Sequence, residues 1–400
     1  MLDFPLAQAR LSEAAPEPQG REACPLEQAA GRVLAEPVVA LLDSPPADNS
    51  AMDGYAIRAA DYAAGARLPV QQLCYAGDAP EPLVPGQATR LFTGSLIPPG
   101  ADTVVLQEVC RETGGAVEIL EAPQPGQHVR RQGEDIARGT EILPAGTLLQ
   151  AAQVAMLASQ GLAEIAVRPR LKVGILTTGD ELVAPGQPRA PQQIYNSNGP
   201  MLAALVRRLH AEPVRVLHAP DEPHALREAF EALLAECDLV ISVGGVSVGE
   251  RDLVKPTLEA LGGELALWKV RMKPGKPVAL AHIGGKPVVC LPGNPVSAYA
   301  VFTLLVSPLL RRMQGRRDPF PPVRRVVLRT QTVRQDSREE FLRVQCRPEG
   351  DGEALHPYRH QGSGAIGSLP WADGLARIPP DTPVPDGTPV DYYDFARWLA

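Results

Sequence analysis

Residues 238–252 read DLVISVGGVSVGERD. A β-branched run, 239–243, enters a glycine-rich turn, and Glu250-Arg251-Asp252 opens the next apolar segment. That pattern predicts a buried parallel strand, a loop and a helix. Gly244, Gly245 and Gly249 permit positive φ and close backbone approach to a ligand. A loop at the carboxyl end of a strand lies where open α/β sheets bind ligands. Alone, the stretch slightly favours a plain crossover turn; its surroundings shift the balance toward a binding loop.

The same rhythm extends to both sides. Strands are expected over 172–176, 214–218, 239–243 and 288–291, with two more near 265–270 and 278–281. Helices are expected from the 196–200 stretch to about His210, over 225–235 and 253–261, and after Pro292-Gly293-Asn294-Pro295 to near Arg312. In Asn196-Ser197-Asn198-Gly199-Pro200, a Ser or Asn caps a helix with Pro in its first turn. Strand–helix alternation of this kind means a doubly wound, mostly parallel sheet. After about residue 319 the texture returns to β, with strands expected over 323–328, 341–345, 376–378 and 389–393. Upstream, 56–140 is dense in Val, Leu, Gly and Pro, and short runs at 70–75, 88–92 and 103–109 suggest a small β-barrel or sandwich. Residues 1–45 look helical, with a helix over 26–30 stopped by Gly31, then extended, and have little core of their own. The helical stretch 151–159 stops near Gly161. The domain boundaries expected are 1–45 with 141–170, 46–140 inserted between them, 171–318, and 319–400.

Composition narrows the function classes. Four hundred residues exceed one typical core. The 42 prolines are about twice ordinary usage and fit stiff connections between small domains. A net charge of −7 argues against general nucleic-acid binding. The six cysteines form no CxxC pair, which suggests neither a zinc site nor a disulfide framework but reduced thiols in the cytoplasm. The N-terminus shows no basic region followed by an apolar core, so no signal peptide is expected. The longest apolar run, 296–310, is short for a bilayer and contains Pro308; it reads as a core helix, with no membrane partner expected.

Chemistry gathers at the loops. Glu181, Asp221, Asp252 and the Lys273-Pro274-Gly275-Lys276 turn follow or join predicted strands, so they meet at one sheet edge. Carboxylates facing lysines suit an anionic, metal-assisted reaction, since Mg²⁺ takes oxygen ligands and keeps several waters. Each has a plainer reading: Asp221 or Asp252 as a helix cap, Glu181 as a surface acid. Lys269, Arg271 and Lys273 alternate on one face of an extended segment, either guarding a sheet edge or, with Lys276, binding phosphate. The GGVSVG loop offers N–H groups and Ser247 for the same purpose, but neither GxxxxGK[ST] nor GxGxxG is present. In DNSAMDGYA, 48–56, two acids, an Asn and a Ser form either an Asx-type turn or a polar ligand site. The charged turn 133–136 reads as rim or cleft. Pro357 weakens His356 and His360 as a helical metal pair.

Seven motifs occur in order: DNSAMDGYA at 48–56, GEDI at 133–136, TTGDEL at 177–182, YNSNG at 195–199, GGVSVGERD at 244–252, KPGKP at 273–277 and LPGNPVSA at 291–298. Together they resemble the MoeA family of molybdopterin molybdenumtransferases, bacterial relatives of the gephyrin E domain, over almost the whole chain. The resemblance implies an α/β plus β architecture in four parts: an elongated helical and extended domain, an inserted small β-domain, a doubly wound molybdopterin-binding domain and a C-terminal β-domain. It implies a homodimer whose cleft lies between the α/β domain of one subunit and the β-domain of the other. The implied reaction converts adenylylated molybdopterin and molybdate to molybdenum cofactor and AMP with Mg²⁺. By motif, Asp53, Thr93, Asp135, Glu181, Asp221, Asp252, Lys273 and Lys276 fall at functional positions, with Glu181, Asp221 and Asp252 as metal ligands. Gly244, Gly245, Ser247, Pro292 and Pro295 would shape the substrate site, and Arg338 and Ser363 would lie near molybdate. The implied partners are a molybdopterin adenylyltransferase and recipient molybdoenzyme apoproteins. Two other readings stand beside this one: a molybdopterin-binding scaffold without turnover, and an adenylyltransferase acting one step earlier.

Overall fold

The computed structural model describes residues 2–246 and 253–400. The described chain forms two compact units: residues 1–36, 145–154 and 163–400 in one, and 37–144 with 155–162 in the other. The expected α/β plus β architecture is observed.

The larger unit is built on a six-stranded sheet. Its elements in chain order are β1 (Lys172–Thr178), α1 (Asn198–Arg208), β2 (Glu212–Ala219), α2 (Pro223–Glu236), β3 (Leu239–Val243), α3 (Val254–Ala260), β4 (Glu264–Trp268), β5 (Ala279–Ile283) and β6 (Lys286–Leu291). The strand order is β2-β1-β3-β6-β5-β4. The β2, β1, β3 and β6 strands run parallel, and β5 and β4 close the edge antiparallel. Strand alternation splits the side chains between two cores. Val173, Ile175, Ile241, Val243, Val289 and Leu291 face α1 and the C-terminal helix of this domain. Leu176, Val240, Val288 and Cys290 face α2 and α3. The sheet is thus covered on both sides, which is why its strands read as nearly continuous apolar runs.

After β6 comes a 19-residue helix, α4, from Pro295 to Met313. The whole helix, longer than the run 296–310, is long and apolar enough by length and composition to cross a bilayer, but 89% of its apolar 18-residue window is buried inside the protein, as expected of a core helix. It packs with the N-terminal helix Phe4–Glu13, whose Phe4, Ala7 and Leu11 lie in the same core. Its middle, Phe302–Val306, is a π-helical turn. Pro308 follows, which lacks an N–H and would clash with the carbonyl four residues back in a regular helix.

The expected helix over 26–30 is a single 3₁₀ turn, Leu26–Gln28, because Pro25 and Gly31 leave room for no more. Ser197 occupies the N-cap of α1 without a side-chain capping bond. Asn196 does that work: its Oδ1 accepts from the Gly199 N–H at 3.1 Å.

A second six-stranded sheet carries the C-terminal domain, with strands Arg324–Leu328, Glu339–Glu349, Gly352–Pro357, Gly374–Ile378 and Pro389–Asp394. Its sixth member is the two-residue strand Met272–Lys273, which leaves the α/β domain to pair in parallel with Glu339–Glu340. The smaller unit holds another six-stranded sheet. On its strand Gly54–Ile57, Tyr55 and Ile57 enter one apolar cluster and Ala56 the other, so both faces are covered.

Candidate functional site

The parallel strands end together. β2 and β3 flank β1 on opposite sides, which makes the β1 edge a topological switch point, where doubly wound sheets open a crevice. A cleft of about 720 Å³ lies there. Glu181, Asp221, Gly244, Gly245, Pro292 and Pro295, all picked out from sequence, line it.

Gly244 is held at φ +104°, and a Cβ there would stand 2.5 Å from the Thr178 carbonyl oxygen. Gly245, at φ +63°, would meet the Val254 Cγ2 at 2.6 Å. The glycines therefore let β3 turn against β1 with backbone exposed to the cleft. Gly244→Ala is expected to cost about 2–4 kcal/mol of stability, from strain at this φ and the clash. Urea unfolding checks this; a loss under about 1 kcal/mol would refute the packing argument.

Asp221 is not a helix cap, since Glu222 takes that position. Thr178 Oγ1 donates to Asp221 Oδ1 at 2.5 Å, and the Asp221 N–H donates to Asp180 Oδ1 at 3.1 Å. This fixes the carboxylate between β1 and β2. The exposed Glu181 carboxylate folds back over Gly179, where a built Cβ would stand 2.6 Å from Oε2. The starts of two helices, α1 through Ser197 and Asn198 and α4 through Asn294 and Pro295, also line the cleft. Helix N-termini favour anions. Asn198 Nδ2 donates to the Gly293 carbonyl at 2.7 Å and binds α1 to the turn after β6.

The C-terminal domain closes one side through Gly364 and Ile366. Ser363 lies in the same loop. Sequence reasoning missed what holds that loop: Arg343, 1% exposed, donates to the carbonyls of His360, Gln361 and Gly362 at 2.9–3.0 Å and to Ser368 Oγ at 3.1 Å. Burial pushes its pKa down to about 10. The signal available was a lone arginine in an apolar strand, which reads equally as a surface residue.

The lysines separate. Lys273 Nζ lies 2.9 Å from Asp336 and 3.0 Å from Glu340, and does not line the cleft. Burial opposes its charge, but the hydrogen bonds to Asp336 and Glu340 win and raise its pKa. Asp336 also accepts the Arg338 N–H at 2.9 Å and lies 3.4 Å from Arg338 Nε. One carboxylate therefore joins two candidates far apart in sequence, Lys273 and Arg338. Lys276 is exposed and has no ion pair among the described residues. Arg271 pairs with Asp381.

Burial works against the Asp336 carboxylate, yet the Arg338 N–H and Lys273 hold its pKa down at about 2. The folded value lies below the unfolded one, so the clamp stabilises the fold above pH ~4 and loses that effect as pH falls toward 2. With Lys273 36% exposed, its contribution is discounted to about 1–2 kcal/mol. The stability gap between wild type and Asp336→Asn should close between about pH 5 and 2 in urea unfolding; a constant gap would exclude this titration.

In the smaller unit, Thr93 donates to Asp53 Oδ1 through its N–H and its hydroxyl, each at 2.8 Å. Those bonds, the backbone one first, lower the Asp53 pKa. Asp135 is exposed, on a turn tied by its N–H to the Ser44 carbonyl. Asp48 straps that turn, accepting from Arg131 Nη1 at 2.6 Å and the Gln132 N–H at 2.8 Å. Ser247 and Asp252 lie outside the described residues. Among the described residues no three His, Cys, Asp or Glu side chains form a metal cluster. Glu181 and Asp221 lining one cleft still fit Mg²⁺, which uses one or two protein carboxylates together with substrate phosphates and water.

Fold and site define a multidomain protein whose doubly wound α/β domain holds a strand-end cleft completed by a C-terminal β-domain. The chain belongs to the MoeA family: models of the MoeA N-terminal region (domains I and II), a probable molybdopterin binding domain and the MoeA C-terminal region (domain IV) match residues 2–161, 174–312 and 325–395. It is 40% identical over 320 residues to a molybdopterin molybdenumtransferase of Haemophilus influenzae, covering 80% of this chain and 79% of that one. It is 38% identical to molybdopterin molybdenumtransferase 2 of Mycobacterium tuberculosis, covering 92% and 94%. A crystal structure of the molybdopterin biosynthesis moeA protein from Pyrococcus horikoshii superposes with a TM-score of 0.84 at 31% identity, covering 98% of this chain and 100% of that one.

Proposed function

We propose that this protein is a molybdopterin molybdenumtransferase that inserts molybdate into adenylylated molybdopterin, yielding molybdenum cofactor and AMP. The observation that carries the reading is one cleft uniting Glu181 and Asp221 with the Gly244-Gly245 backbone and two helix N-termini. Such a site suits a diphosphate: backbone N–H groups and helix ends meet phosphoryl oxygens, and the carboxylates meet a cation. Relatives named molybdopterin molybdenumtransferase at 38–43% identity support the molybdenum transfer.

Glu181, Asp221 and Asp252 would hold Mg²⁺. When bound, that ion offsets charge on the phosphoryl oxygens. Asp221 Oδ1 already accepts from Thr178, so its second oxygen would serve the cation. Lys276, exposed and unpaired among the described residues, is better placed than Lys273 to meet phosphoryl charge. Lys273 and Arg338, tied together by Asp336, and Ser363 would bind molybdate through charge-assisted and neutral hydrogen bonds. In a homodimer, the Asp53–Thr93 pair and Asp135 of one subunit's smaller unit join the cleft of the other. The reaction takes place in the cytoplasm, where an adenylyltransferase supplies the substrate and molybdoenzyme apoproteins take the product.

The test is AMP release from adenylylated molybdopterin with Mg²⁺, with and without molybdate. Release that requires molybdate and yields product able to activate a molybdenum-free apoenzyme is expected. Tight binding without release would leave a scaffold. Adenylylation of molybdopterin by MgATP would instead place the protein one step earlier.

A further inference from the structure

A second cavity, of about 570 Å³, lies in the C-terminal β-domain and shares no lining residue with the strand-end cleft. Its wall carries three guanidinium groups, Arg329, Arg334 and Arg359, against one carboxylate, Asp386. Arg329 is already engaged, bonded to Glu349 and 3.5 Å from Asp386. Arg334 and Arg359 have no ion pair among the described residues.

Arg334 is fixed from its backbone, where its N–H and carbonyl exchange bonds with Val384 at 3.0 and 2.8 Å. Its Nε is buried with no hydrogen-bond partner. Buried guanidinium N–H groups left unpaired are rare and costly in native proteins. The Thr330 N–H donates to Asp386 Oδ1 at 2.8 Å, which holds the carboxylate to its own wall, and Thr330 in turn bonds the Thr332 backbone. Guanidinium forks match the edges of tetrahedral oxyanions, with two parallel N–H donors per fork.

We propose that this cavity binds a phosphate-type oxyanion, free or as a monoester, between Arg334 and Arg359. The site is independent of the molybdenum-transfer cleft and of the function proposed for it.

Isothermal titration of the full chain with inorganic phosphate and with glycerol 3-phosphate, at ionic strength matched with chloride, tests it. Saturable 1:1 binding is expected, weakened at least tenfold by Arg334→Gln with Arg359→Gln. The exposed Arg359→Gln alone should weaken it severalfold, which keeps the test decisive should the double variant misfold. Glycerol 3-phosphate binding as tightly as phosphate would identify a phosphomonoester as occupant; binding of phosphate alone would identify a free oxyanion. No saturable binding would overturn the proposal. So would a phosphate isotherm that the arginine substitutions leave unchanged, since it would assign the anion to the other cleft.

Discussion

Asp221→Asn is expected to slow AMP release about 100- to 1,000-fold while leaving the fold intact, the scale seen when one preorganised electrostatic group is removed from an active site. The side chain sits between β1 and β2, with Oδ1 on Thr178 and its N–H on Asp180. Asn matches its volume and can still accept from Thr178, so stability should change by less than about 1 kcal/mol. What disappears is the negative charge at the cleft. If that charge holds a cation against the diphosphate, added Mg²⁺ should partly restore the rate. Single-turnover AMP release at several Mg²⁺ concentrations, beside urea unfolding, measures both. A folded variant that turns over normally would remove Asp221 from the mechanism.

Arg343→Leu should cost about 3–5 kcal/mol and disable the cleft, because it removes a buried guanidinium that donates to three successive carbonyls at once. Arg343 is 1% exposed and bonds the carbonyls of His360, Gln361 and Gly362 and the Ser368 hydroxyl. Loss of that fork releases the loop whose Gly364 and Ile366 line the cleft. Arg343→Lys keeps a cation but not the planar fork, so it should fall between the two. Hydrogen exchange at residues 360–368 together with the urea midpoint reads the effect. Unchanged protection in the Leu variant would mean that the loop is held by something else.

The α/β domain was legible because both of its signals are local. Apolar runs at 172–178, 239–243 and 286–291 are dictated by burial on both faces, and the intervening helices carry their own periodicity. Once those strands are parallel, topology alone sends Glu181, Asp221 and Gly244 to one edge, and the cleft does collect them. The cap of α1 was less legible: Ser197 and Asn196 are chemically interchangeable in that role, and the backbone bend selected Asn196.

The KPGK turn shows where one-dimensional reading stops. Sequence spacing puts Lys273 and Lys276 on either side of Pro274-Gly275 and suggests two amines with one target. The structure sends Met272–Lys273 into the C-terminal sheet, where Asp336 and Glu340 take the Lys273 amine and Lys276 stays exposed. Arg343 escaped for the same reason, since its partners lie 17 to 25 residues away in a loop. By itself, then, the sequence determined the strands, the helices and the sheet edge where the acids gather, because periodicity and crossover handedness are set by neighbouring residues and chain chirality. Only the tertiary structure decided which charges are spent on one another and which remain for a ligand, because ion pairing depends on distances between residues that no sequence interval encodes.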